Sequence, residues 1–359
     1  MMASRDIMRQ EIAAQPRVVR DAIPSLLRQA ASIKWPDPPG LLVFCGCGDS
    51  LTAPSLVSEA LGGAAVILSA MDVAAYRRLK PADLVVAASI SGSTTATAKA
   101  VAAARAAGTR SCAITMAPDS PIARAADHVI TLPYRPISRQ TPHTLDFAMT
   151  IAAVLAIAAA KGGSNVALDM LPDVIAGALA VPDDQIDAAA RLWSPTTNLY
   201  VLGAGPGLAT ARYIVAKFHE AFGCAAIAAE LEDMAHGQHL ALRGGDAAVL
   251  LALDQPSRTR ASAVLPGLVR LGLKCAVIGG DTGSVGIDIP ATDGWPAQVA
   301  AAIVGQRLCL RAAEIHDLAV IWPVETPHLV AQKEWGLDRS TVVPPSFDQK
   351  SVTHQKAGP

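Results

Sequence analysis

The chain has 359 residues, with 30 basic and 31 acidic side chains and an apolar fraction of 51%. This length suits one large or two medium domains with a buried core, which excludes a disulfide-stapled peptide and a disordered chain. The net charge of −1 provides no field that would attract nucleic acid or an anionic membrane, so neither partner is expected.

The amino-terminal residues, 1–12, are rich in charged side chains and lack the apolar core of a signal peptide. A cytoplasmic location is therefore expected. The longest apolar stretch, 150–160, is too short to cross a bilayer and predicts a buried helix. The six cysteines match no zinc pattern and are expected to be reduced. We predict no cofactor and no metal.

Apolar segments of strand length occur in the chain as related pairs. The paired segments begin at Leu41 and Asn198, at Asp83 and Asp246, and at Gly108 and Gly272. The second member follows the first by 157, 163 and 164 residues respectively. Such similar offsets across different elements indicate two duplicated subdomains.

The apolar segments alternate with alanine-rich stretches of helical length, such as 95–107 and 262–271. Strands with unbroken apolar sequence are buried on both faces, as in a parallel sheet covered by helices. The sequence therefore predicts an α/β protein. Its first subdomain is placed at 24–170, its second at 180–325, and an irregular C-terminal tail that covers a site at 326–359.

Small hydroxyl residues gather after two predicted strands of the first subdomain. Ser50 follows a glycine turn, and Ser89, Ser91 and Thr94 precede a predicted helix. Backbone N–H groups at a helix start, together with hydroxyls, can surround a phosphate without any lysine or arginine. Helix capping is the alternative role. The corresponding segment of the second copy, 254–257, lacks this cluster, which predicts one phosphate site per chain.

The second subdomain carries the ionisable residues. Lys217 and Glu220 are three residues apart, which predicts an ion pair on one helix face. His236 and His239 bracket a glycine, and histidine transfers protons near neutral pH. A metal pair is the alternative, although no third ligand is evident. The glycines of 203–207 do not have the dinucleotide-binding spacing.

Together these features resemble the sugar isomerase (SIS) domain family, especially the isomerase half of glucosamine-6-phosphate synthase, glucosamine-6-phosphate deaminases and fructosamine-phosphate deglycases. The resemblance covers the turn 47–50, the loop 89–94, the spacing from Glu220 to His236, and the end segments 8–16 and 350–353. It implies two flavodoxin-like subdomains, each a parallel sheet flanked by helices. It also implies a small-molecule sugar phosphate as ligand and a homodimer with shared active sites.

The resemblance implies three catalytic residues. Glu220 would move a proton between C1 and C2 of the sugar, His236 would open the sugar ring, and Lys350 would form a Schiff base with the open-chain ketose. A tail that closes over the pocket would desolvate this lysine and favour its neutral, nucleophilic form. The phosphate would be held by Ser50, Ser89, Ser91 and Thr94.

The implied reaction is that of an isomerase/deaminase, which converts an amino-hexose 6-phosphate such as glucosamine-6-phosphate into fructose-6-phosphate and ammonia. No glutaminase segment accompanies the match, so glutamine is not expected to donate nitrogen. Ile90 replaces a polar residue of the family, and 138–144, with Arg139 and His143, differs from the loop over the sugar. A nitrogen-free aldose-ketose isomerase, a deglycase and a non-catalytic phosphosugar sensor stay open as alternatives.

Overall fold

A computed structural model of the chain describes residues 2–63, 65–138, 142–162, 166–280, 285–290, 293–320, 331, 334 and 335. The α-helices in this part of the chain are α1 (Met2–Ala31), α2 (Asp49–Leu56), α3 (Ser58–Leu61), α4 (Thr95–Ala106), α5 (Pro121–Ala125), α6 (Thr144–Ala160), α7 (Val166–Leu179), α8 (Asp183–Ala190), α9 (Pro206–Phe222), α10 (Leu231–Ala235), α11 (Gln255–Arg270) and α12 (Gly294–Ile315). The strands are β1 (Leu42–Gly46), β2 (Ala65–Ser69), β3 (Leu84–Ala88), β4 (Arg110–Thr115), β5 (His128–Thr131), β6 (Leu199–Gly203), β7 (Ala226–Glu230), β8 (Ala247–Leu251), β9 (Lys274–Ile278) and β10 (Val285–Ile287).

The strands form two five-stranded sheets in which every pair is parallel. The first sheet has the order β2-β1-β3-β4-β5, and the second has the order β7-β6-β8-β9-β10. Numbered within each copy, both orders are 2-1-3-4-5. The predicted α/β fold with two duplicated subdomains is therefore confirmed.

The central strands have apolar sequences because helices cover both faces of each sheet. All five residues of β1, β3, β6 and β8 are buried, whereas those of the edge strand β2 are half-buried. This burial explains why the sequence shows continuous apolar runs instead of the alternation of a half-exposed strand.

The duplication extends to a polar contact at the amino-terminal edge of each sheet. Asp83 Oδ1 accepts a hydrogen bond from Leu41 N at 3.0 Å, and Asp246 Oδ1 accepts one from Asn198 N, also at 3.0 Å. Each carboxylate thereby joins the start of the third strand of its copy to the start of the first.

One apolar cluster joins the two subdomains, since it includes side chains from both sheets and from α1, α6 and α12. Helix α6 is buried along almost its whole length, which confirms the buried helix predicted for 150–160. None of the described helices combines the length and the hydropathy needed to cross a membrane. All six cysteines are free thiols.

Three predicted boundaries differ from the helix limits of the structure. Helix α11 begins at Gln255 rather than near 262, because Asp254 and Ser257 form a capping box that starts the helix earlier. The predicted limits of the subdomains fall at 24, inside α1, and at 170, inside α7, and the limits themselves stay predictions.

Candidate active site

The loop 89–94 leaves β3 at the carboxyl edge of the first sheet and leads into α4. Its glycine is required by the local geometry. Gly92 has a φ of +65°, and a Cβ atom at this position would lie 1.9 Å from Ser120 Oγ. No larger residue fits without displacing the loop.

The hydroxyls of this loop are held close together. Ser89 Oγ accepts a hydrogen bond from Gly92 N at 3.1 Å and lies 3.1 Å from Thr94 Oγ1. Ser91 Oγ accepts hydrogen bonds from Ser93 N at 3.2 Å and from Ser93 Oγ at 2.9 Å. Three of the four predicted phosphate residues thus lie in this loop, where the hydroxyls form two pairs, Ser89 with Thr94 and Ser91 with Ser93.

The start of α4 suits an anion. Thr94 occupies the N-cap position without a side-chain capping bond, and the first turn contains no acidic residue. The amide groups at the start of a helix carry partial positive charge, so an anion at this position is stabilised. The loop and the helix together have the chemistry of a phosphate cradle.

The fourth predicted phosphate residue, Ser50, is the second residue of α2 and follows the turn after the neighbouring strand β1. Strand β1 pairs with β3, so the turn after β1 adjoins the loop after β3. Gly46 permits this turn, because a Cβ atom there would lie 2.8 Å from the backbone of Ser50. Gly48, with a φ of +54°, then directs the chain into α2.

The equivalent strand end of the second copy has its polar groups bonded to one another. Ser257 Oγ accepts hydrogen bonds from Leu253 N at 2.9 Å and from Asp254 N at 3.0 Å. In return, Asp254 Oδ1 accepts one from Ser257 N at 2.8 Å. The Asp254 carboxylate therefore lies at the start of α11, where its negative charge would repel an anionic ligand. This difference supports the expectation of one phosphate site per chain.

A buried ion cluster lies between the two subdomains. Lys217 of α9 is completely buried, and its Nζ donates to Asp49 Oδ2 at 2.7 Å and to Glu220 Oε2 at 2.6 Å. The predicted pair of Lys217 and Glu220 is therefore confirmed. Asp49, the first residue of α2, is an additional partner from the other subdomain.

The charges of this cluster follow from its burial. Burial alone would lower the pKa of Lys217, but Asp49 and Glu220 outweigh it, so that pKa is raised well above its ordinary value. Burial and the negative charge of Glu220 raise the pKa of Asp49 to about 6, although Lys217 opposes this rise. Lys217 therefore stays cationic at neutral pH and is unsuited to act as a nucleophile.

Aromatic and amide side chains pack beside the ion cluster. The Tyr213 ring stacks on Phe147 with centroids 3.6 Å apart, and Lys217 Nζ lies 5.1 Å from the Tyr213 centroid. The Tyr213 hydroxyl accepts a hydrogen bond from Gln306 Nε2 at 2.7 Å. These contacts fix α9 against α6 and α12, which limits the movement of Lys217.

A second carboxylate adjoins Asp49 from the start of α6. Asp146 is buried, and its charge contributes to the raised pKa of Asp49. The Tyr134 hydroxyl donates to Asp146, and His143 Nδ1 lies 3.4 Å from Asp146 Oδ2. His143, noted in the sequence as a departure from the family, therefore belongs to the polar surroundings of the ion cluster.

The buried Glu11 of α1 holds the segment that precedes α6. Its Oε1 accepts hydrogen bonds from Ile137 N at 3.1 Å and from Ser138 N at 3.3 Å. Its Oε2 lies 3.5 Å from Thr144 Oγ1. Arg139, the other departure noted in this segment, lies outside the described residues.

His236 is not brought together with Glu220 within one chain. Its ring is 72% exposed, and its Nε2 contacts Glu232 Oε1 at 3.0 Å. Helix α9 returns the chain from the carboxyl edge of the second sheet to the amino edge, so Glu220 lies near the amino edge. His236 follows β7 and α10 and therefore lies at the carboxyl edge. Lys350 lies outside the described residues.

Two residues of this site were missed by sequence reasoning. The sequence pattern shows Asp49 only as part of the glycine turn, and it does not distinguish Asp146 from the other acidic residues. The available signal was their position: each is an acidic residue in the first turn of a helix. Within the described residues, no three His, Cys, Asp or Glu side chains are placed to hold a metal ion.

Comparisons with known proteins agree with this architecture. Residues 59–160 match the sequence model of the SIS domain family. No curated protein matches the chain by sequence. Several solved structures match over almost the whole fold, however.

The C-terminal domain of glucosamine-fructose-6-phosphate aminotransferase from Francisella tularensis is 19% identical, with a TM-score of 0.72 over 89% of this chain and 100% of that chain. Glucosamine-6-phosphate deaminase from Thermotoga maritima is 18% identical, with a TM-score of 0.70 over 90% and 98%. Tagatose-6-phosphate ketose/aldose isomerase from Escherichia coli is 17% identical, with a TM-score of 0.68 over 89% and 97%. Residues 59–160 therefore resemble the SIS domain family, and the chain has the fold of these three structures.

Proposed function

We propose that this protein is a sugar-phosphate isomerase/deaminase, which acts on an amino-hexose 6-phosphate and forms the ketose phosphate and ammonia. The observation that carries the proposal is the adjacency of an anion cradle and an ion cluster. Asp49, which contacts the buried Lys217, directly precedes Ser50, the predicted phosphate residue that follows the turn beside the cradle. A phosphate in the cradle would therefore place the sugar beside groups that can exchange protons.

The proton-transfer step is assigned to Glu220. After ring opening, its carboxylate would take the proton from C2 and return it to C1, which converts the amine-bearing C2 into an imine. This carboxylate is 31% exposed, so a ligand can reach it, while Lys217 fixes its orientation. Carboxylates held in this way are suited to proton transfer between adjacent carbons.

The amine that forms the Schiff base is assigned to Lys350. It would attack the C2 imine and expel ammonia, and water would then hydrolyse the new imine to the ketose and free lysine. Lys217 is excluded from this role because its raised pKa keeps it protonated. The tail, 326–359, is proposed to cover the site during this step.

The active site is proposed to be shared between two copies of the chain. Glu220 and His236 lie at opposite edges of the second sheet, and His236 is largely exposed. A second copy could therefore present its His236 to the sugar ring, as a general acid or base for ring opening. The predicted homodimer would then be required for activity.

The test is an assay of ammonia and ketose formation from glucosamine-6-phosphate and from a panel of other sugar phosphates. Glu220→Gln and Lys350→Ala are expected to abolish turnover while thermal stabilisation by fructose-6-phosphate persists, because the cradle is intact. Borohydride reduction in the presence of the ketose should attach the sugar to Lys350 and not to Lys217. The control Lys274→Ala, an exposed lysine at the start of β9, should retain full activity.

Other outcomes would identify the alternatives. Ketose formation without ammonia would indicate a nitrogen-free isomerase, and release of an amine from a fructosamine phosphate would indicate a deglycase. Thermal stabilisation by sugar phosphates without any turnover would indicate a sensor.

A further inference from the structure

Lys217 has one more carboxylate partner than its charge requires. An ammonium group has three N–H donors, and a single carboxylate neutralises its charge. Glu220, one helical turn away on α9, could do this alone. The second partner, Asp49, comes from α2, 168 residues away in the sequence, and makes a contact of the same length.

The excess carboxylate changes the electrostatics of the cluster. A carboxylate paired alone with a buried ammonium holds its proton weakly, because the opposite charge favours the ionised form. A second negative charge nearby disfavours the ionised form and therefore raises the pKa of the carboxylate. Burial and the charge of Glu220 together raise the pKa of Asp49 to about 6 despite Lys217, and this repulsion is reciprocal.

We propose that Asp49 is a positioning residue for Glu220, which shares the Lys217 ammonium with Glu220 and thereby keeps the Glu220 carboxylate both fixed and basic. This inference rests on the proposed role of Glu220 in proton transfer. It also links the two parts of the site, because Asp49 belongs to the same turn as Ser50. The turn that would receive the phosphate thus sets the basicity of the group that would move the proton.

The other ionisable groups around the cluster do not replace Asp49. Among the described residues, the titratable side chains that act on Lys217, Asp49 and Glu220 from outside the cluster include Tyr213 of α9, Asp146 of α6 and Cys309 of α12. Burial raises the pKa of Tyr213 and of Cys309 well above their ordinary values, so both are neutral at pH 7. Asp146 contacts Tyr134 and His143. Of the two aspartates, only Asp49 hydrogen-bonds Lys217.

The variant that tests the proposal is Asp49→Asn, which keeps the size and one acceptor oxygen but removes the charge. With Lys217 paired to Glu220 alone, Glu220 becomes a weaker base. At pH 7 kcat should fall about 3- to 10-fold, and the acidic limb of the kcat profile should move down by about one pH unit. KM for the sugar phosphate should change less than about 2-fold, because the cradle hydroxyls are unchanged. The control is Asp21→Asn, a 68% exposed aspartate whose removal should alter none of these values.

A second readout does not depend on turnover. Carbon-13 NMR of protein labelled at the glutamate carboxyl carbons, with the Glu220 signal assigned by its loss in Glu220→Gln, follows the protonation of Glu220 directly. Its titration midpoint should be about one pH unit lower in Asp49→Asn than in the wild type. An unchanged midpoint would overturn the proposal, even if the variant were less stable. Absence of turnover in the wild type would instead count against the proposed function. The NMR comparison would still decide whether Asp49 sets the basicity of Glu220.

Discussion

At the scale of single residues, Lys217 is notable as a charged side chain that is completely buried. Its charge is tolerated because two carboxylates and the face of Tyr213 surround it. Removing one member of a buried ion cluster leaves the remaining charges unpaired, which is more costly than removing a surface pair.

We expect Lys217→Met to lower the free energy of unfolding by about 3–5 kcal/mol at pH 7, because Asp49 and Glu220 then face each other without a cation. The loss should shrink towards pH 5. The pKa of Asp49 is about 6 even with Lys217 present, so acidification protonates this carboxyl in the folded state and removes the repulsion. Urea unfolding at both pH values checks this, and the double variant with Asp49→Asn should recover part of the loss at pH 7. An equal loss at pH 7 and pH 5 would contradict it.

A second residue-scale prediction concerns the cradle. Ser91→Ala should raise KM for the sugar phosphate about 10- to 150-fold with little change in kcat, since a hydrogen bond to a charged group contributes about 1.5–3 kcal/mol. Ser257→Ala is the matched control in the other copy. It removes capping contacts of α11, so it should cost about 1 kcal/mol of stability and leave KM unchanged. If both variants change KM alike, the phosphate does not bind at 89–94.

At the scale of elements, the two copies share their glycine turns but differ at the next helix start. Gly48 and Gly205 have nearly identical conformations, with φ and ψ of 54° and −129° in one and 53° and −129° in the other. Helix α4 starts without a side-chain cap, whereas α11 starts with a capping box. The two copies therefore share a framework but differ in how this helix begins.

The predicted effect of Gly92→Ala tests this loop. An alanine at position 92 would destabilise the folded state in two ways, through the positive φ and through a clash of its Cβ with Ser120 Oγ. Gly108→Ala is a suitable control, because Gly108 has a φ of +68° but no atom within 4 Å of the added Cβ. In the control the free energy of unfolding should fall by about 1–2 kcal/mol. In Gly92→Ala it should fall further, and inorganic phosphate should no longer raise the unfolding temperature. Equal behaviour of the two variants in thermal unfolding with and without phosphate would count against the cradle.

At the scale of the whole molecule, the arrangement of the two sheets decides which groups can cooperate. The carboxyl edge of the first sheet meets the carboxyl-terminal half of α9, which brings Asp49 to Lys217. Because α9 runs from the carboxyl edge of the second sheet to its amino edge, Glu220 and His236 lie at opposite edges of that sheet. With the proposed roles, a complete set of catalytic residues therefore requires a second copy.

This requirement predicts complementation between two inactive variants. Glu220→Gln and His236→Ala, coexpressed with different tags, should form a heterodimer in which one site contains both substitutions and the other contains neither. The isolated heterodimer should show about half of the wild-type activity, although each homodimer is inactive. Light scattering provides the oligomeric state. An inactive heterodimer would show that the two residues act within one chain.

The sequence by itself determined the repeat, the parallel α/β fold, the position of the hydroxyl loop and the pair of Lys217 and Glu220. These features follow from local rules, since strand burial, helix periodicity and glycine turns depend on neighbouring residues. The tertiary structure alone decided that Asp49 is the third member of the ion cluster and that His236 lies away from Glu220. These relations join residues that are distant in the sequence, and they depend on how two sheets pack against shared helices, which interactions between neighbouring residues do not determine.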